Sequence, residues 1–190
     1  MKIKKLLFAS ALLFSAYNAS AQTQVIAHRG FWKTEGSAQN SIAALLKADS
    51  IGCYGSEFDV WLAADDQLVV NHDPTFKGKR MENSPSTALT AIKLDNGESL
   101  PTLAKYLKAA QPLHTRLILE LKAHSTPLRE TKAIEKIVAL VKDMGLEERM
   151  EYITFSLHAT KEFIRLAPEG TPVYYLDGNL SPKELKELGC

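Results

Sequence analysis

The chain is 190 residues long, 45% of its residues are hydrophobic and 24% are charged, and its formal net charge is +1. A chain of this length and composition can bury a core, so we predict one soluble globular domain and exclude a disordered chain. The domain is nearly neutral and its sequence indicates no clustered basic face, which argues against nucleic acid as a partner.

The first 21 residues have the pattern of a secretory signal peptide. A basic start, MKIKK, is followed by the apolar segment LLFASALLF and by ASA, the small-x-small pattern at which signal peptidases cut. The apolar segment is shorter than the roughly 20 residues that span a bilayer, so we expect no stable membrane anchor. The sequence therefore predicts a signal peptide at residues 1–21, a mature domain at residues 22–190, and a secreted or periplasmic protein.

Strand-like and helical segments alternate along residues 22–190. The predicted strands are VIAHR, EFDVWL, QLVVNH, RLILELK, EYITFS and PVYYLD. The predicted helices lie in QNSIAALLKADSIG, PTLAKYLKAAQ, PLRETKAIEKIVALVKDMG, HATKEFIRLAP and SPKELKELG, and residues 74–99 are predicted as a polar loop. This alternation is typical of parallel β/α units, and by itself it is compatible with an open doubly wound sheet or a closed barrel.

The positions of the polar residues favour the barrel. Polar side chains lie at or near the carboxyl ends of four different strands: His28, Glu57, Asp59, His72, Glu120 and Lys122. A barrel collects its site residues from strand ends around a ring, whereas an open sheet concentrates them at one switch point. We therefore predict an α/β fold of the TIM-type (β/α)8 barrel class, with about six of the eight strands present in this chain.

Three carboxylates are expected to converge at this end of the sheet. Glu57 and Asp59 share one face of a strand, because successive side chains point to opposite faces. Glu120 and Lys122 share a face near the end of another strand, where a simple salt bridge is an equally good interpretation of that pair alone. Three converging carboxylates repel one another unless a cation neutralises them, and an all-oxygen ligand set selects a hard divalent cation, Mg²⁺ or Ca²⁺.

Two histidines follow strands at the same end of the sheet. His28 precedes Arg29 in AHRG, and His72 precedes an aspartate in NHD. With a divalent cation, and with Arg29 and Lys122 as anion partners, the pair suits cleavage of a phosphate ester: one imidazole removes a proton from the nucleophile and the other protonates the leaving alkoxide. The remaining histidines are expected in exposed or helix-capping positions: His114, His124 and His158.

The motifs HRG, QNS, E-x-D-V, HD, PTL and E-x-K resemble those of the glycerophosphodiester phosphodiesterases in order and spacing. The resemblance extends from Val25 to about Asp177. It implies a TIM-type barrel that hydrolyses small-molecule glycerophosphodiesters to glycerol 3-phosphate and an alcohol.

The resemblance also assigns a role to each candidate residue. It makes the two histidines the acid/base pair: His28 and His72. It makes the three carboxylates the metal ligands: Glu57, Asp59 and Glu120. It makes the two cations the phosphate-binding residues: Arg29 and Lys122.

The chain departs from the family pattern at one supporting position. The family usually has Pro-Glu-Asn-Thr where this chain has Ala38-Gln39-Asn40-Ser41. A carboxylate is thus replaced by the neutral amide of Gln39, while Asn40 is kept. The departure affects a supporting contact and leaves the predicted ligand set intact.

Two alternative functions are compatible with the same residues. The first is a non-catalytic or inactive barrel fragment that binds phosphodiester ligands. The second is a related lipase-type enzyme, in which an internal hydroxyl attacks phosphorus and yields a cyclic phosphate. The choice between Mg²⁺ and Ca²⁺, the alcohol and the oligomeric state are left open at this point.

We also expect the barrel to be incomplete at its C-terminal end. A barrel of this type has eight strands in about 250 residues, so about two more β/α units are expected beyond Cys190. Open edge strands expose unpaired backbone groups and invite aggregation. We therefore predict that residues 22–190 by themselves are poorly soluble or inactive. A cooperative thermal transition together with full activity of this segment would contradict the prediction.

Overall fold

The structure, a computed structural model, describes residues 23–190. The predicted signal peptide, residues 1–21, lies outside the described residues. Within the described part of the chain, every helix is too short or too polar to cross a bilayer.

Six strands form one mostly parallel sheet. The described residues contain eight strands: β1 (Ile26–Ala27), β2 (Gly55–Leu62), β3 (Leu68–Val70), β4 (Thr75–Phe76), β5 (Lys79–Arg80), β6 (Arg116–Leu121), β7 (Met150–Thr154) and β8 (Val173–Tyr175). The order β1-β2-β6-β7-β8 is parallel throughout, and β3 pairs with β2. The fold is therefore α/β, and its mostly parallel six-stranded sheet corresponds to part of a TIM-type barrel.

One predicted strand runs in the unexpected direction. The third strand, β3, pairs antiparallel with β2, with Val60 opposite Val70 and Leu62 opposite Leu68. A tight turn between them, in which Ala63 N–H donates to the Gln67 carbonyl, reverses the chain. Five strands of the sheet are therefore parallel, and β3 instead carries the chain back toward the carboxyl end of β1.

Six α-helices and two short 3₁₀ turns connect the strands within the described residues. The helices are α1 (Ile42–Ser50), α2 (Ser86–Thr90), α3 (Leu103–Ala110), α4 (Pro127–Asp143), α5 (Leu157–Leu166) and α6 (Pro182–Leu188). Five of them begin at a serine or threonine whose side chain accepts a backbone N–H of the first turn, namely Ser41, Thr102, Thr126, Ser156 and Ser181. Such caps satisfy amide groups that the helix itself leaves without partners.

The predicted polar loop at residues 74–99 contains short regular elements. The hairpin β4–β5 turns at Lys77 and Gly78, which both have positive φ values of 45° and 78°. The short helix α2 follows it. Elements of two to five residues are too short to show a hydrophobic period, so the loop prediction was wrong here.

The core lies between the sheet and the helices that cover it. Every residue of β2 is buried, as expected for a parallel strand covered on both faces. Phe58 packs against Tyr106 of α3 with ring centroids 4.5 Å apart, and Tyr152 of β7 stacks on Phe163 of α5. Because side chains alternate along β2, the two carboxylates flanking Phe58 point away from this core and toward the other face of the sheet.

Gly30 lets the loop after β1 lie directly against α1. Its φ is +75°, and a Cβ atom at this position would lie 2.7 Å from the Ala44 Cβ and 2.8 Å from the Ala44 backbone carbon. Its N–H also donates to the Ala27 and Glu57 carbonyls, at 3.0 and 3.1 Å. The absence of a side chain therefore fixes where the preceding His28 and Arg29 lie.

We predict that Gly30→Ala lowers the free energy of unfolding more than Gly145→Ala does. Both glycines have positive φ, but a Cβ at Gly145 meets no atom within 4 Å. The shared conformational strain cancels in the comparison, and the remaining difference of about 1–3 kcal/mol reports the overlap with Ala44. Urea unfolding of the two variants measures it. Equal losses would show that α1 moves aside at little cost.

Candidate active site

Three carboxylates from two adjacent strands come together at the centre of the sheet. Asp59 of β2 lies opposite Glu120 of β6 in the parallel register, and Glu57 lies two residues before Asp59. All three are buried, and each offers a carboxylate oxygen within 4.8 Å of the other two. The convergence predicted from the sequence is confirmed, and the cluster could bind a divalent cation.

Glu57 has one satisfied and one unsatisfied oxygen. Its Oε2 accepts the Arg29 backbone N–H at 2.7 Å, whereas its Oε1 is buried without a hydrogen-bond partner among the described residues. Burial, followed by repulsion from Asp59, raises the pKa of Glu57 to about 8. The ionised form of a buried carboxylate with a free oxygen is destabilised unless a cation lies next to it, so Glu57 is suited to bind one.

Asn40 orients the second carboxylate. Its Nδ2 donates to the Asp59 Oδ2 at 2.9 Å, and its Oδ1 accepts the Asp59 backbone N–H at 3.2 Å. Asn40 has a φ of 59° and directly precedes the Ser41 cap of α1, so the helix start holds it in place. Asn40 is kept in the sequence motif, but it was not among the predicted site residues. The QNS motif was the available signal.

Lys122 neutralises part of the carboxylate charge. Its Nζ lies 2.7 Å from the Glu120 Oε1 and 3.3 Å from the Asp59 Oδ1, and its side chain is only 15% exposed. Burial raises the pKa of Glu120 although the Lys122 ammonium acts in the opposite direction. Both interpretations of Glu120 and Lys122 hold, since the pair is a salt bridge and also part of the carboxylate cluster.

His28 lies at the edge of the cluster and is accessible. Its side chain is 68% exposed, and its Nε2 is 3.9 Å from the Glu57 Oε2. Partial burial and the neighbouring Arg29 lower the pKa of His28. The imidazole is therefore neutral near pH 7 and able to accept a proton.

The Arg29 side chain points to Gln39 and, among the described residues, makes no hydrogen bond to the three carboxylates. Its Nη1 donates to the Gln39 Oε1 at 2.6 Å, and its Nε is buried without a partner among the described residues. The amide of Gln39 thus still accepts from the guanidinium, although the usual family residue at this position is a carboxylate. The backbone of Arg29, with a φ of 59°, contributes the N–H that Glu57 accepts.

His72 is held at the end of the β2–β3 hairpin. Its Nδ1 bonds to the Asp73 Oδ1 at 2.7 Å, and its carbonyl accepts the Trp61 Nε1–H at 3.3 Å. The preceding Asn71 donates its backbone N–H to the Asp59 carbonyl at 3.0 Å, which ties the hairpin end to the carboxylate strand. The antiparallel direction of β3 therefore brings His72 to the carboxylates.

A cavity of about 310 Å³ opens beside these residues. Its lining includes Asn40, His72 and two aromatic residues, Trp32 and Phe76. Its volume is at the lower end of the range for small-molecule sites. His28 lines a neighbouring cavity that shares Trp32 as a wall, so the two histidines face different openings.

Solved structures of phosphodiesterases resemble the chain closely. A crystal structure of a glycerophosphodiester phosphodiesterase from Parabacteroides distasonis has 56% identity and a TM-score of 0.85, over 87% of this chain and 70% of that one. The structure of an Oleispira antarctica phosphodiesterase in complex with the product sn-glycerol-3-phosphate has 25% identity and a TM-score of 0.72, over 88% of this chain and 72% of that one.

A curated protein gives the same result at lower identity. A glycerophosphodiester phosphodiesterase from Caldanaerobacter subterraneus subsp. tengcongensis is 30% identical over 77% of this chain. The chain spans 64% of the length of that relative. No family model matches the chain.

We predict that, without metal, Glu57 destabilises the protein as the pH rises from 5 to 8. An unfolded glutamate loses its proton near 4.5, whereas buried Glu57 keeps its proton up to about pH 8. Between these values the unfolded state binds fewer protons, so stability falls with rising pH. In chelator, the melting temperature of Glu57→Gln should fall less over this range than that of the wild type.

The exposed Glu169 supplies a control for this measurement. Glu169→Gln removes a carboxyl group of the same type from the surface and should keep the wild-type dependence on pH. If Glu57→Gln also keeps it, the carboxyl of Glu57 is not desolvated as described.

Proposed function

Because the chain belongs to the glycerophosphodiester phosphodiesterase family, we propose that its carboxylate cluster is the centre of a site that hydrolyses glycerophosphodiesters to glycerol 3-phosphate and an alcohol. The observation that carries the proposal is the buried Glu57 oxygen that has no partner in the described part of the chain, in a cluster of three carboxylates beside a lysine and two histidines. The product named for the Oleispira antarctica relative, sn-glycerol-3-phosphate, supports the choice of reaction.

The carboxylates would hold the metal ion: Glu57, Asp59 and Glu120. Their donor set is all oxygen, which suits Mg²⁺ or Ca²⁺. When bound, such a cation neutralises charge that develops on phosphoryl oxygens. Asn40 keeps the Asp59 carboxylate oriented for this purpose through its paired hydrogen bonds.

Two cations of the chain would bind the phosphate. The Lys122 ammonium lies directly at the carboxylates, so it can donate to a phosphoryl oxygen placed there. The Arg29 guanidinium is held through one nitrogen by Gln39 and would contribute its other terminal donors. Charge-assisted hydrogen bonds of this kind position the diester and stabilise the charge of its transition state.

The two histidines would divide the proton transfers. Neutral His28, beside Glu57, would take a proton from the attacking water, whose oxygen forms the new bond to phosphorus. In its imidazolium form His72 would keep the Nδ1 proton on Asp73 and donate the Nε2 proton to the alkoxide as the bond from phosphorus to that oxygen breaks, leaving the neutral imidazole. We place the leaving alcohol in the cavity that His72 lines, together with Trp32 and Phe76.

We also propose that the protein is secreted or periplasmic and that residues 1–21 are removed during export. The basic start, the apolar centre and the small-x-small end support this proposal. Mass spectrometry of the exported protein tests it by locating the mature N-terminus.

We predict that the cluster binds a divalent cation and that activity needs it. A chelator should abolish release of glycerol 3-phosphate from glycerophosphocholine and glycerophosphoethanolamine, and Mg²⁺ or Ca²⁺ should restore it. Glu57→Gln, Asp59→Asn and Glu120→Gln should each weaken metal affinity, because a hard cation loses a charged ligand. Titration calorimetry measures the affinities. Unchanged affinity in all three variants would remove the metal from the proposal.

Phosphorus NMR of the reaction products separates the candidate functions. Glycerol 3-phosphate as the first product supports hydrolysis, and a cyclic phosphate supports the lipase-type reaction. Metal-dependent binding of the diester without turnover supports the non-catalytic alternative.

We predict that His28→Ala and His72→Ala each lower turnover by about 100-fold or more, as expected when a proton transfer is lost. Both variants should keep the wild-type melting temperature within a few degrees, because His28 is exposed and, among residues 23–190, the His72 ring bonds only to the exposed Asp73. His114→Ala, which alters an exposed histidine, is the control. Near-normal turnover of either site variant would show that its histidine transfers no proton.

A further inference from the structure

His124 lies just beyond β6 and joins two backbones through its imidazole ring. The Leu62 N–H donates to its Nε2 at 2.9 Å, and its Nδ1 lies 2.6 Å from the Lys122 carbonyl oxygen. The exposed or capping position expected from the sequence is therefore wrong for this histidine. The ring instead connects the end of β2 to the residue that follows β6.

The imidazole takes the place of one hydrogen bond of the sheet. The Lys122 N–H donates to the Val60 carbonyl at 3.1 Å, which continues the parallel ladder between β6 and β2. In a regular parallel ladder the next bond would run from the Leu62 N–H to the Lys122 carbonyl. His124 contacts these two groups. We call this a relay, because the ring accepts from the Leu62 N–H and bonds to the Lys122 carbonyl where the strands separate and no direct bond forms.

The relay requires a neutral ring with its proton on Nδ1. A backbone N–H can only donate, so Nε2 must accept from Leu62, and Nδ1 must donate to the Lys122 carbonyl. Burial is the largest cause and lowers the pKa of His124; Arg129 acts in the same direction, whereas Glu82, the hydrogen bond to the Lys122 carbonyl and Glu130 act against it. The environment of the ring therefore favours the neutral form that its contacts need.

Contacts on both sides hold the ring in place. The backbone N–H of His124 donates to the buried Glu130 at 3.1 Å, and Glu130 also accepts the Ser156 hydroxyl at 2.6 Å. The ring of Trp61 packs against it with centroids 5.2 Å apart, and the Trp61 Nε1–H donates to the His72 carbonyl. One rigid group thus contacts the backbone of Lys122 and, through Trp61, the backbone of His72.

We propose that His124 is a positioning residue that fixes the Lys122 backbone and thereby holds the Lys122 ammonium on Glu120 and Asp59. The proposal rests on the proposed function, in which Lys122 binds the phosphate. The ammonium is 2.7 and 3.3 Å from those carboxylates. Its position depends on the backbone of Lys122, and Lys122 is the residue at which the chain leaves the sheet. Loss of the relay frees that backbone and lets the ammonium move away from the cluster.

Two substitutions of His124 separate the relay from the packing. His124→Phe keeps a ring against Trp61 but removes both hydrogen bonds, whereas His124→Gln keeps one acceptor and one donor. Lys122→Met serves as the reference for a lost ammonium. Each variant is combined with Lys122→Met in a double-mutant cycle. Melting temperatures show which variants fold.

Three readouts are measured on the whole chain. The first is acylation of the Lys122 amine, followed by peptide mass spectrometry, with the half-buried Lys47 as the internal control. The second is affinity for Mg²⁺ and Ca²⁺ by calorimetry. The third is turnover of glycerophosphocholine.

We expect His124→Phe to make Lys122 more reactive than in the wild type while Lys47 is unchanged. Metal affinity should rise, as in Lys122→Met, because a cation that repels the metal has moved away. Turnover should fall by about 10-fold or more, since a misplaced group loses its alignment with the substrate. His124→Gln should lie closer to the wild type in all three readouts. In the Lys122→Met background, His124→Phe should change neither metal affinity nor turnover.

Several results would overturn the proposal. Unchanged Lys122 reactivity in a folded His124→Phe variant would show that the ring does not hold the lysine. A fall in metal affinity together with turnover, or full additivity with Lys122→Met, would show a general loss of structure instead. If the wild type has no turnover, the proposed function fails. The reactivity of Lys122 in His124→Phe, and its return toward the wild-type value in His124→Gln, still decide the role of His124.

Discussion

The mutual repulsion of three buried carboxylates is the constraint on which the rest of this structure depends. Glu57, Asp59 and Glu120 are placed side by side by the parallel register of β2 and β6, in an interior where charges are poorly screened. Two groups reduce that repulsion. The Arg29 backbone N–H donates to Glu57, and the Lys122 ammonium donates to Asp59 and Glu120. One oxygen of Glu57 is left without a protein partner among the described residues. A divalent cation could complete this arrangement, as proposed above.

The connections at the strand ends place the other site residues around the carboxylate cluster. The loop after β1 turns sharply at Gly30, which lies against α1, and this turn presents His28 next to Glu57. The β2–β3 hairpin returns the chain to the same place and presents His72 beside the cavity. The parallel ladder between β2 and β6 ends where the ring of His124 replaces a backbone hydrogen bond. Each irregularity at a strand end therefore has a side chain of the site next to it, as expected for a barrel whose active site is built on its strand-to-helix connections.

The departure from the family motif at Gln39 also has a physical account. The guanidinium of Arg29 donates to the Gln39 side-chain oxygen at 2.6 Å, so an amide fills the acceptor role of a carboxylate at this position. The neutral amide leaves the positive charge of Arg29 uncompensated by this neighbour. That charge remains available to an anionic ligand, which agrees with the proposed binding of a phosphodiester.

The sequence by itself determined the features that depend on local periodicity and residue chemistry. The alternation along β2 placed Glu57 and Asp59 on one face, the helix patterns located five of the six helices in residues 23–190, and the motif order identified the family. Only the tertiary structure decided the antiparallel direction of β3, the orientation of the Arg29 guanidinium and the position of His124 between Leu62 and Lys122. These features arise from hydrogen bonds between residues far apart in the chain. No pattern within a single segment records which distant backbone group a side chain will meet, because that depends on the register in which the strands pair.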